Sequence, residues 1–268
     1  MTPEQHKDAA RALLQAEETG HQCGLLSLTY PDMTLDDAYA VQQALVTQKL
    51  LNGRRKIGWK IGLTSRAMQQ ALNITTPDSG VLLDDMAFPS ATIVPARRFI
   101  QPRVEAEIAF VMKSPLSGAD CTAADIIAAT DYVTPALEIL DTRIRRSDPA
   151  TGQARIITDT ISDNAANAGI VTGTERHPID AQDLRRVGVI VKRNGEVEET
   201  GLGAGVLDDP VTSVLWLARR MADYGQQIEP GDIVLSGSFV RPVECPPGTH
   251  IHADFGPFGA IEISFAQH

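Results

Sequence analysis

What the chain lacks narrows it first. It holds three cysteines, Cys23, Cys121 and Cys245, an odd number, far apart and with no C-x-x-C pair. That pattern argues against a disulfide framework or a structural zinc site and fits a reducing compartment. The opening residues, MTPEQHKDAARALLQAEETG, have no apolar core of the kind a secretory signal needs. No apolar run is long enough to span a bilayer. The expectation is a cytoplasmic protein. There is no basic tract and the net charge is −10, so nucleic acid and anionic membranes are not expected as partners. Acidity does not exclude an anionic small molecule, because a metal ion or a few basic residues can reverse the sign locally. Also missing are a G-x-S-x-G elbow, a phosphate-binding loop, internal repeats and a linker rich in Pro, Gly or Ser. The glycines of GLGAG at 201–205 follow a charged hairpin and lack the G-x-G-x-x-G order, so they do not read as a nucleotide loop.

What is there reads as helices followed by strands. Residues 3–18 are rich in Ala, Leu, Gln and Glu, all good helix formers. Thr34 is placed to cap a second helix with Asp36 and Asp37 in its first turn, Ala38, Val41 and Leu45 on one face, and Gly53 at its end. A strand-like WKIGLT and a short helix over Ala67–Leu72 follow. From about residue 80, VLLDDMAF, ATIVPA, RVEAEIAFVM and YVTPALEIL are strand candidates between turn signals. Asn194-Gly195 signals a hairpin. Asp209-Pro210 opens a helix striped by Val214, Leu217, Ala218 and Met221, ending at Gly225. IVLSGSFV, HIHADFG and GAIEISF read as closing strands. This order predicts an α+β fold, with a helical N-terminal region over 1–75 and a β-rich catalytic domain over 76–268, together one compact unit.

The sharpest local feature is Arg103-Val104-Glu105-Ala106-Glu107-Ile108-Ala109-Phe110. On a strand, Val104, Ala106, Ile108 and Phe110 face one way, while Glu105 and Glu107 face the other, about 6.6 to 6.8 Å apart along the backbone. Two carboxylates at that spacing repel unless a positive group lies between them, and a hard cation such as Mg²⁺ or Mn²⁺ suits. Taken alone, the pair reads more simply as a solvated strand face. Glu138 adds a third carboxylate in the otherwise apolar TPALEIL, where a charge needs a partner; an ion pair with Arg103 or Arg143 is the structural alternative. Lys60, among the apolar and small residues of GWKIGLT, either shuttles protons at a lowered pKa, or stays charged and holds a carboxylate, or reaches out to solvent. Asp78 is equally at home in a turn. The segment DTISDNAANAG at 159–169 packs short hydrogen-bonding side chains among small residues, which suits a polar loop near a ligand or a capped turn entering a strand. His250 and His252 share a strand face and read as structural.

WKIGLTS, the RVEAEIAFVM and PALEIL strands, the ISDNAANAG loop and the GDIVLSGSF turn occur in an order and spacing that resemble the hydratase and decarboxylase branch of the fumarylacetoacetate hydrolase superfamily. The resemblance covers residues from about 5 to 265. Within the branch, DTRIRRSDPATGQARIITDTISDNAANAG, RNGEVEETGLGAGVL and SGSFVRPV are most similar to members that hydrate a seven-carbon 2-oxo dioate in aromatic meta-cleavage catabolism. The resemblance implies a mixed β-roll core, a homo-oligomer, Glu105, Glu107 and Glu138 as ligands of Mg²⁺ or Mn²⁺, and Lys60 in the active site with Asp78 and Ser162 close by. On that reading Lys60 and Asp78 transfer protons, Ser162 orients the substrate's C1 carboxylate, and Arg241 is a partner for a distal carboxylate, its plain alternative being a surface arginine. Competing readings are hydration of a five-carbon 2-hydroxydienoate, decarboxylation of a 4-oxalocrotonate-type acid, C–C hydrolysis of an acylpyruvate, and a non-catalytic partner subunit.

Overall fold

The computed structural model describes residues 1–71, 74 and 76–267. Two helices form the N-terminal layer. Pro3–Thr19 starts on a capping box between Thr2 and Gln5, and Leu35–Leu51 on one between Thr34 and Asp37. Ala38, Val41 and Leu45 are buried, and Leu13, Leu25, Leu26 and Ile144 complete a small core of their own. Ile144 comes from the loop after the Glu138 strand, so this layer is fastened to the strand that carries a candidate ligand. The expected helix over Ala67–Leu72 is found as Arg66–Ala71, and Leu72 lies outside the described residues.

The β body is two sheets. The larger runs Asp78–Leu83, Lys56–Gly62, Ile233–Leu235, Arg103–Met112, Thr130–Leu140, Asn167–Thr172 and Ala87–Phe88, with Val243–Glu244 on the far end of the Arg103 strand. It is mixed: Lys56–Gly62 pairs parallel with Ile233–Leu235, while Arg103–Met112 and Thr130–Leu140 form a long antiparallel pair. The strand Lys56–Gly62 falls inside the 1–75 region, yet it is an interior strand of this sheet. The second sheet orders Thr92–Val94, Ala260–Phe265, His250–Asp254, Gly188–Arg193 and Glu196–Leu202. Its last two strands meet at Asn194 and Gly195, both at positive φ, as a tight hairpin between twisted strands requires. The helix Pro210–Asp223 begins on the Asp209 cap, buries Val214, Leu217, Ala218 and Met221, and is followed by Gly225 at φ 63°.

One segment departs from its sequence reading and a second resolves into a turn entering a strand, and both shape the site. IVLSGSFV is a strand only over Ile233–Leu235. At Gly237 the backbone turns to φ 108°, where an added Cβ would run into the Thr64 side chain, so only glycine fits the turn. The polar segment at 159–169 divides into a short helix, Ile157–Ser162, a left-handed turn and the start of the strand Asn167–Thr172. Asn164, Ala165 and Ala166 have φ of 51°, 51° and 57°. Left-handed backbone costs an alanine roughly 1–2 kcal/mol, so surrounding packing must hold this turn in place.

Candidate active site

The long antiparallel pair builds the centre. Its register sets Glu105 directly opposite Glu138 and Glu107 opposite Ala136. With Glu107 two residues along the same face, the three carboxylates converge, and one oxygen from each lies within 4.8 Å of the others. This is not a solvated face: Glu107 and Glu138 are fully buried. Glu107 Oε2 accepts a 2.7 Å hydrogen bond from the Gly237 N–H, which the turn at that glycine aims inward. Glu138 Oε1 accepts from Asn167 Nδ2 at 2.7 Å and lies 3.2 Å from Lys60 Nζ. The two remaining oxygens, Glu107 Oε1 and Glu138 Oε2, are buried with no donor among the described residues. Buried anionic oxygens left unpaired are expensive, and their chemistry matches the oxygen ligands a hard divalent cation takes.

Lys60 comes from an interior strand and is buried. Besides Glu138, its Nζ donates to the Ala165 carbonyl at 3.0 Å, a group presented by the left-handed turn. Burial alone would lower its pKa, but Glu138, Asp78, Glu105 and Glu107 outweigh burial and hold it above the ordinary lysine value. Of the sequence alternatives for Lys60, the geometry is that of a charged lysine holding a carboxylate. Asp78 is the first residue of a strand rather than a turn residue, and is buried opposite Gly62. A Cβ at Gly62 would meet Asp78 Oδ1, so glycine is what lets this carboxyl sit beside Lys60. Burial raises the Asp78 pKa, with Lys60 opposing. Glu105 is pushed up to about 8 by burial and by Glu138, against the pull of Lys60 and Arg103. Glu107 is raised well above the usual glutamate range by burial and its two carboxylate neighbours. Four carboxyl groups thus surround one ammonium, which leaves room for further positive charge.

A cavity of about 470 Å³ opens from this cluster and is lined by Lys60, Asp78 and Glu105, and by Arg103, Arg155 and Arg241. Arg241 stands at its edge, with its side chain 81% exposed and a 2.7 Å ion pair to Glu199. Ser162 is fully buried, is not among the residues lining the cavity, and has a hydroxyl without a partner. Glu138 pairs with neither arginine proposed for it: Arg143 holds Asp163, and Arg103 approaches Glu244. His250 and His252 lie in the second sheet, each 3.8 Å from Glu262. Sequence reasoning did not assign roles to Asn167, Gly237 or Asn164, which ties Val81 through its side chain to the turn. The cluster of short polar residues at 159–169 was the signal for two of them, and Gly237 lies within the GDIVLSGSF turn, which was read only as part of the family resemblance.

The model of the fumarylacetoacetate (FAA) hydrolase C-terminal family matches residues 64–265. The chain is 48% identical over 260 residues to a 2-oxo-hept-4-ene-1,7-dioate hydratase of Escherichia coli, covering 97% of each. It is 39% identical to a 2-keto-4-pentenoate hydratase of Paraburkholderia xenovorans, over 99% of this chain and 96% of that one. Among solved structures, the 4-oxalocrotonate decarboxylase of Pseudomonas putida G7, complexed with magnesium and adipate, superposes with a TM-score of 0.93 at 34% identity, over 99% of this chain and 98% of that one. The chain is an enzyme of the fumarylacetoacetate hydrolase family and belongs to its hydratase and decarboxylase branch.

Proposed function

We propose that the chain is a hydratase dependent on Mg²⁺ or Mn²⁺ that adds water to 2-oxo-hept-4-ene-1,7-dioate, in aromatic meta-cleavage catabolism of the homoprotocatechuate type. The observation that carries this reading is the trio Glu105, Glu107 and Glu138, the last two fully buried and each with an oxygen that has no donor among the described residues, beside Lys60 and Asp78 where Glu105 lines a cavity. The 48% identity to a hydratase of that substrate supports the choice of acid. A divalent ion held by the three glutamates supplies Lewis acidity at the 2-oxo acid end of the substrate.

The protein's own groups do the rest. Lys60 stays charged and fixes Glu138, while its contact with Ala165 fixes the ammonium in turn. Asp78, its pKa raised by burial, holds and releases a proton closer to neutrality than an exposed aspartate does. It takes the proton from C3 and returns one at C5, which moves the double bond from C4–C5 to C3–C4. C4 then lies β to the 2-oxo group, and water adds there, its hydroxyl to C4 and a proton to C3.

The test follows loss of conjugated dienoate absorbance with purified protein, comparing the seven-carbon dioate with the five-carbon monoacid, with and without EDTA, and weighs the product. Metal-dependent loss of the dioate with a gain of one water is expected. Preference for the monoacid moves the enzyme to pentadienoate hydration. The fold shared with 4-oxalocrotonate decarboxylase favours decarboxylation as the second reading, and a product lighter by CO₂ would establish it.

A further inference from the structure

The charges around the cavity are unevenly matched. Arg241 and Glu199 both line it and neutralise each other at 2.7 Å. Arg103 and Arg155 line it too, without such a partner. Arg155 Nη1 donates to the Thr142 hydroxyl at 2.6 Å, and among the described residues it forms no ion pair. Arg103 comes within 4.0 Å of one carboxylate, Glu244, which Arg146 already holds at 2.7 Å. Arg146 is itself a neighbour of Arg155, whose backbone N–H donates to the Arg146 carbonyl at 2.9 Å. Two guanidiniums, Arg103 and Arg146, therefore share one half-exposed carboxylate, while Arg155 feels both of them and is offset only by the more distant charges of Asp163 and Asp159. Arginine does not discharge in proteins, so the excess positive charge is permanent. The Arg103 side chain is only 22% exposed, which limits what water can do for it.

The position of this excess is informative. Arg103 and Glu105 are two residues apart on one strand, so they share a face at a spacing of about 6.6 to 6.8 Å. An extended seven-carbon chain, with six bonds of about 1.5 Å each, spans roughly 7.5 Å. An acid with its 2-oxo end at the glutamate cluster and its chain running toward Arg103 therefore carries its other end to the level of that residue, and Arg155 lines the same cavity.

We propose that Arg103 and Arg155 form a subsite for the distal carboxylate of a seven-carbon 2-oxo dioate and set the enzyme's selectivity for that chain length. A guanidinium fork matches a carboxylate at two points and suits a partly desolvated site. Arg241, the residue the sequence offered for this role, is already occupied by Glu199. The proposal rests on the hydratase reading for which end of the acid enters first, and its test separates the two.

Magnesium-loaded protein is titrated calorimetrically with two saturated acids that cannot be hydrated, 2-oxoheptanedioate and 2-oxopentanoate. Wild type binds the dioate about 10- to 100-fold more tightly, the worth of a charge-assisted contact. Arg155→Gln and Arg103→Gln each reduce that ratio by about fivefold or more. Arg155 lies in a loop away from the glutamates, so its variant reads the subsite even if Arg103→Gln fails to fold. Equal binding of the two acids by wild type overturns the proposal. So does a wild-type ratio retained by both variants, or loss of the ratio in Arg241→Gln in their place. Hydration is assayed in parallel: a preference for the dioate without added water supports the subsite and refutes the hydratase reading, whereas hydration without the preference does the reverse.

Discussion

Two buried charge clusters lie near each other in this fold, and they are built on opposite principles. In one, Arg143 meets Asp163 through its backbone N–H at 2.9 Å and its Nε at 2.5 Å, and its Nη2 donates to the carbonyls of Asp163 and Asn167. Neither of its charged side chains is left with a buried atom lacking a partner. In the other, Lys60 faces Glu105, Glu107, Glu138 and Asp78, and three carboxyl oxygens there, on Asp78, Glu107 and Glu138, are buried with no donor. Both clusters draw on the segment 163–167, yet one is saturated and the other is short of positive charge. Burial therefore does not separate structural from reactive ionic groups; completeness of pairing does.

That contrast can be broken or sharpened by experiment. The largest effect is expected at the saturated cluster. Arg143→Met leaves Asp163 buried and unpaired, and the unfolding free energy falls by about 3–5 kcal/mol, read by urea unfolding. A loss below 1 kcal/mol would show that this pair is no more structural than its neighbour. Next comes Glu107→Gln, which removes a charge from the unsaturated cluster. The fold survives, while Mg²⁺ affinity and turnover fall at least ~100-fold, followed by metal titration and initial rates. Full activity in that variant would sink the assignment of the glutamates as ligands.

A pH series compares the clusters without mutation. Glu105 titrates at about 8 in the metal-free protein and Glu107 is raised well above the ordinary value, so protons must leave before a cation binds. Mg²⁺ affinity is expected to weaken as pH falls below about 8, with proton release visible as a buffer-dependent heat. Stability of the metal-free protein moves the other way. A glutamate whose folded pKa is raised binds more protons folded than unfolded, so its contribution is intact below the ordinary value and is lost as pH rises through about 8. The rise in Tm on adding Mg²⁺ is therefore larger at the alkaline end of this window, and a pH-independent rise would contradict the shifts. The smallest effect is at Ser162, which precedes Asp163 of the saturated cluster. Ser162→Ala removes a partnerless buried hydroxyl, so stability changes by less than about 1 kcal/mol. KM shifts less than about threefold because the hydroxyl does not reach the cavity wall. A tenfold rise would place Ser162 on the substrate's C1 carboxylate.

Much of the frame could be read from local pattern. Thr34 with Asp37, Asp209 with Pro210, and Asn194 with Gly195 each produced the predicted helix start or hairpin, because caps and tight turns are decided within four residues. Arg103–Met112 is a strand with the expected apolar face, and alternation also set Glu105 and Glu107 on one side. Other parts were not legible. IVLSGSFV has strand composition throughout, yet it turns at Gly237, where Thr64 packs too closely to admit a Cβ. Ala165 and Ala166 have no local reason to be left-handed, and only the surrounding structure holds them so. The partner of Glu138 could not be deduced, because arginines nearer in sequence were offered and the lysine that took the role lies 78 positions away.

The sequence by itself determined which residue types were available, where helices and hairpins begin, and that Glu105 and Glu107 share a face. Those properties depend on a few neighbouring residues and on the two-residue period of a strand. Only the tertiary structure decided that Glu107 is buried, that Glu138 completes the cluster, that Lys60 remains charged there, and that Arg241 is closely paired with Glu199 while Arg103 meets a carboxylate only at 4.0 Å and Arg155 has no ion pair among the described residues. These are matters of register between distant strands and of how many opposite charges reach one buried point, and both are fixed by long-range packing.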